Sequence, residues 1–117
     1  MFKKLFKWML VIKTMRQAAD LSCRAAFFAD IANDFNTKVG QQDKGILELQ
    51  ERISAAASDH TKEGREKRQR DERDLKAMQT ARENLNKKGM ESAQHMIEMQ
   101  QSAAELRDFA QFITKKI

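Results

Sequence analysis

Proline and tyrosine are absent from this chain of 117 residues, glycine occurs four times and cysteine once. The missing proline removes the strongest helix breaker. The lone Cys23 excludes an intramolecular disulfide and any paired-cysteine motif, and fits a reducing compartment. Long apolar runs are missing as well. The longest uncharged one is residues 8–12, whereas a membrane-spanning helix needs about 20 residues and a signal-peptide core about 7 to 15, so neither is expected. Residues 15–32 make no span either, because Arg16, Asp20, Arg24 and Asp30 interrupt them.

Catalytic groups are equally sparse. His60 and His95 are the only histidines, no Gly-rich phosphate loop occurs, and no base lies close to Cys23 in sequence, so neither enzymatic activity nor a cofactor is expected. The stretch GMESAQHMIEMQ places His95, Met96 and Met99 on one helical flank, a soft-ligand set that could suit Cu(I). Methionine more often fills gaps in a helical core, so no metal site is expected there.

What remains is a helix-former's composition of Ala, Gln, Glu, Lys, Arg and Met with few β-branched residues, which predicts an all-α protein. Its charge is unevenly placed. The first sixteen residues, MFKKLFKWMLVIKTMR, hold five basic residues and no acid, and residues 17–117 balance seventeen basic against seventeen acidic residues, so the whole net charge of +5 is N-terminal. At 100° per residue, Phe2, Leu5, Phe6, Trp8, Met9, Leu10 and Ile12 form a broad apolar face, with Lys3, Lys4, Lys7 and Thr14 opposite it. This is the pattern of a helix lying in a membrane interface. The expected membrane-binding set is Phe2, Lys3, Lys4, Leu5, Phe6, Lys7, Trp8, Met9, Leu10, Ile12 and Lys13, and the expected partner is an anionic membrane surface. The alternatives are that this segment packs onto the rest of the protein or a neighbouring subunit, or serves as a nucleic-acid arm or translocation signal. Nucleic acid is disfavoured because no basic stripe extends over the remainder of the chain.

Residues 17–38 read as an Ala- and Phe-rich packing helix. VGQQDKG, residues 39–45, reads as a hairpin turn at 39–44, with Gly40 closing one helix and Asp43 capping the next. Residues 45–117 then form one long helix, opening with Ile46, Leu49, Ile53 and Ala56 at spacings of three and four. Residues 60–74, HTKEGREKRQRDERD, have no apolar face. They are expected to be a solvated helical shaft held by the pairs Glu63–Lys67, Glu66–Arg70 and Glu72–Lys76, where Arg68→Gln would change stability little.

From Leu75 the spacing of three and four resumes through Met78, Arg82, Leu85, Gly89, Ser92, Met96, Met99, Ala103, Leu106, Ala110, Ile113 and Ile117. Ala81, His95, Phe109 and Phe112 widen this seam into that of a bundle. LNKKGM, residues 85–90, carries a helix-stop pattern that could break the helix at Gly89. A first helix near 2–38 covers only about half of a second helix roughly 105 Å long. Leu75, Met78, Leu85, Met96, Met99, Ala103, Leu106, Ala110 and Ile113 are therefore expected to meet another copy of the chain.

The expected fold is an elongated all-α helical hairpin or coiled coil with an N-terminal cationic amphipathic helix, self-associating. The layout is similar to that of phage-shock and ESCRT-III-like membrane-remodelling scaffolds, with no motif shared residue by residue. The expected function is a membrane-tethered, self-assembling helical scaffold, cytoplasmic and peripheral on the inner face of a membrane, or part of a larger envelope, virion, phage-type or secretion assembly. The alternatives are a soluble coiled-coil adaptor or chaperone for a partner protein, and a nucleic-acid accessory protein.

Overall fold

The computed structural model describes residues 2–116, and Met1 and Ile117, the latter the last position of the expected seam, lie outside the described residues. The fold is all-α, a hairpin of two helices: α1 (Phe2–Ala55, 54 residues) and α2 (Lys62–Lys116, 55 residues). The chain divides into two compact units, Met1–Ala32 with Glu91–Ile117, and Asn33–Met90.

The turn is not at 39–44. α1 runs through that stretch, and Gly40 and Gly45 both keep ordinary helical backbone with no positive φ. The reason lies in the register of α1. Starting at Lys7, steps of four and three lead through Val11, Thr14, Ala18, Leu21, Ala25, Phe28, Ala32, Phe35, Val39, Gln42, Ile46, Leu49 and Ile53, and every one of these is buried or half-buried. Val39, Gln42 and Ile46 carry that stripe across the expected turn without a phase change. A glycine inside a helix costs about 1 kcal/mol relative to alanine, a local penalty that the continuous stripe on either side offsets. Asp43 caps nothing; it pairs with Arg82 of α2.

The chain reverses instead at residues 56–61. The amide of Asp59 donates to the carbonyl of Ala56 at 3.1 Å, and Asp59 Oδ1 accepts from the Thr61 amide at 3.0 Å and from its hydroxyl at 2.7 Å. Thr61 in turn caps α2, its Oγ1 accepting from the Gly64 amide at 3.1 Å. A Cβ at position 64 would run into the Asp59 carboxyl, so the turn closes tightly only over a glycine. The two bonds from Thr61 hold the Asp59 carboxyl below its ordinary pKa, with smaller help from the Arg68 and His60 charges.

In the unit Asn33–Met90 the charged shaft proves to be part of α2's seam. Gly64 and Asp71 are buried and Arg68 is half-buried, continuing upstream the steps of three and four that become apolar at Leu75. The Arg68 guanidinium donates to the carbonyls of Ala57 and Asp59 at 3.3 and 2.9 Å, so it ties α2 to the turn after α1 rather than pointing freely into solvent. The remaining residues of 60–74 are exposed. Among the described residues the three expected Glu-to-Lys or Glu-to-Arg pairs do not close, whereas Asp20–Arg24 does at 3.2 Å. Exposed long side chains lose as much rotamer freedom as such a contact returns. Gly45 faces Met78, whose methyl group occupies the space a Cβ would take.

In the unit Met1–Ala32 with Glu91–Ile117 the buried residues are small: Ala18, Ala25 and Ala32 from α1, Ala103 and Ala110 from α2, with Thr14 and Ile113. Alanines at these seam positions let two helices approach closely, and they bury little area per turn. The Phe28 ring lies 5.4 Å from that of His95, and Arg107 donates to the hydroxyl of Ser22. α2 is unbroken at Gly89, which is buried in the seam, while Met90 is exposed.

Candidate functional site

The candidate surface is built by the first four turns of α1. Lys7 and Thr14 are on the stripe that meets α2, as their places in the register require. The Lys7 ammonium donates to the carbonyl of Thr114, 3.1 Å away, and the buried Thr14 hydroxyl satisfies itself on the carbonyl of Leu10 at 2.8 Å. Lys7 and Thr14, with Val11 between them, therefore face inward, while Lys3 and Lys4 stay exposed. The bulky side of the helix faces out: Phe2 is 89% exposed, Phe6 69% and Trp8 63%, and Leu5, Met9, Ile12 and Met15 are exposed as well.

Of the expected membrane-binding residues, the structure leaves Phe2, Lys3, Lys4, Leu5, Phe6, Trp8, Met9, Ile12 and Lys13 exposed, while Leu10 and Lys7 are half-buried. Met9, Ile12, Lys13, Arg16, Gln17 and Asp20 rim a shallow open depression on the outer side of α1, and Asp20 is its one acid. Most of the apolar face thus lies off the stripe that packs on the second helix. That sets these side chains apart from ordinary core residues, because exposed aromatics in contiguous groups are uncommon on soluble proteins.

The expected intermolecular seam has a different place. α1 and α2 are nearly equal in length, so Leu75, Met78, Leu85, Met96, Met99, Ala103, Leu106, Ala110 and Ile113 meet α1 of the same chain, with Ala103, Ala110 and Ile113 buried and the others half-buried. Phe109 and Phe112, expected to widen that seam, are 48% and 56% exposed instead. Sequence reasoning missed both as surface residues, although each stands one position before a seam residue and is thereby turned about a quarter-circle off the stripe.

Among the described residues no helix is long and apolar enough to cross a membrane, and no three His, Cys, Asp or Glu side chains gather where they could hold a metal ion. The chain defines an α-helical hairpin with one basic, aromatic-rich end. Compared with known proteins, it matches no family model, no curated protein and no solved structure.

Proposed function

We propose that this protein is a non-enzymatic structural protein that docks on an anionic membrane surface through the first turns of α1, peripheral to the bilayer and not crossing it. The observation that carries the reading is the exposure of Phe2, Leu5, Phe6, Met9 and Ile12 on a helix whose inward stripe begins with Lys7, Val11 and Thr14. The apolar stripe of α1 from Ala18 onward fixes this orientation and leaves the bulky face of the first turns uncovered. The same segment holds the chain's entire excess of positive charge. Each Lys or Arg near an anionic leaflet adds about 1 kcal/mol, and aromatic rings supply the apolar part of interfacial binding. An inner, anionic leaflet is the surface that such a segment suits.

The test is co-sedimentation of the full chain with vesicles of phosphatidylcholine alone and of phosphatidylcholine with phosphatidylserine. Binding to the anionic vesicles, lost in Phe2→Ser/Phe6→Ser/Met9→Ser with helicity unchanged, supports the proposal. Equal retention by the triple variant, or no binding by the wild type, overturns it.

A second reading, self-association into a larger helical assembly, rests on the thin core. No large side chain is fully buried in the chain as described, and Phe27 and Leu47 are exposed far from the N-terminal turns. Packing between hairpins would cover them. Light scattering tests it: a monomer across the micromolar range rejects self-association.

A further inference from the structure

We infer that the lipid-binding surface is made by both helices, the flank of α2 bearing Phe109 and Phe112 entering the same anionic bilayer as Phe6 of α1; this rests on the membrane reading above. Phe6, Phe109 and Phe112 each stand one position before a residue of the stripe where the helices meet, namely Lys7, Ala110 and Ile113. In two antiparallel right-handed helices, residues that precede the contact stripe lie on the same side of the plane through both axes. The three rings therefore share one flank. They also share one level, since the bond from Lys7 to the carbonyl of Thr114 ties the second turn of α1 to the last turns of α2, and Val11, Met15, Ala110 and Thr114 close around one small cleft there.

Charge selects the occupant. Residues 2–16 and 109–116 together carry seven basic residues, with Lys115 and Lys116 added by α2, and the nearest acids of this flank, Asp20 and Glu105, lie beyond them toward the middle of each helix. A second copy meeting this flank with its own would bring like charges together, whereas phosphate headgroups complement them. Trp8 follows Lys7 instead of preceding it, as Ile12 and Met15 follow Val11 and Thr14, so these three stand on the opposite flank and Trp8 serves as the comparison.

The experiment uses the full chain with its only indole moved: Trp8→Phe/Phe112→Trp, alongside the wild type, with the two vesicle compositions above. The expected result is a blue shift and protection from acrylamide for the indole at position 112 on adding anionic vesicles but not neutral ones, together with at least tenfold weaker binding of Phe109→Ser/Phe112→Ser at unchanged helicity. If the wild type sediments with anionic vesicles while the indole at 112 stays unshifted, and the double serine variant binds as the wild type does, the two-helix surface is wrong and the α1 reading stands. If the wild type does not sediment, both fall. An indole at 112 already protected without vesicles, in a particle heavier than one chain, assigns the flank to a second copy and overturns the inference.

Discussion

Lys7 and Thr114, 107 positions apart, are joined by a 3.1 Å bond from the lysine ammonium to the threonine's backbone carbonyl. A lysine grouped by sequence with membrane-facing residues is thereby spent on holding the two ends of the hairpin together, and its neighbours Phe6 and Trp8 are turned outward to either side. Lys7 and Lys13 consequently have separable roles. Lys13→Gln should weaken binding to anionic vesicles about fivefold, the worth of one cation at such a surface. Lys7→Gln should weaken it less and should lower the thermal midpoint slightly. Equal losses of vesicle binding in the two variants would refute this assignment.

The continuity of α1 through residue 40 makes a prediction of opposite sign from a turn at that place. Gly40 has open space around its Cα and helical backbone. Gly40→Ala should stabilise the protein by about 1 kcal/mol in urea unfolding. Were Gly40 a left-handed helix cap, the same substitution would destabilise by a similar amount.

Arg68 is bound to two carbonyls of the turn, those of Ala57 and Asp59, and one neighbour of the same charge, Arg65, makes no comparable closure. Arg68→Ala should cost about 1.5 kcal/mol, since its bonds come from a charged donor, whereas Arg65→Ala should fall within about 0.5 kcal/mol of wild type. Chemical denaturation of both variants decides it. A neutral Arg68→Ala would return residues 60–74 to a freely solvated shaft.

The Asp59 carboxyl is held below its ordinary pKa, first by the Thr61 hydroxyl and then by the Thr61 amide. A carboxylate with a lowered folded-state pKa stabilises the fold above the ordinary value of about 3.9 and loses that contribution as pH falls through the lowered one. The thermal midpoint of the wild type should therefore exceed that of Asp59→Asn near neutral pH, and the gap should close on acidification below pH 4. A gap that stays constant down to pH 2 would mean that the ionised carboxylate contributes nothing to the turn.

By itself the sequence determined the helical class, because neither proline nor a strand pattern competes with its residues. It also determined the phase of α2 from Leu75 onward and the two faces of residues 2–13, which follow from spacing alone. The full stripe of α1 was legible too, in the unbroken steps from Lys7 to Ile53, but Lys7, Thr14 and Gln42 are polar members that an apolar search passes over. Only the tertiary structure decided where the chain reverses. Gly40 with Asp43, and Asp59 with Thr61, offer comparable capping chemistry locally, and the choice went to the site that gives two nearly equal helices whose stripes cover each other. It likewise decided that Lys7 turns inward and Phe6 outward. A helical wheel sorts residues into faces, but which face is buried depends on where the second helix lies, and that is set by the alanines of both stripes packing closely.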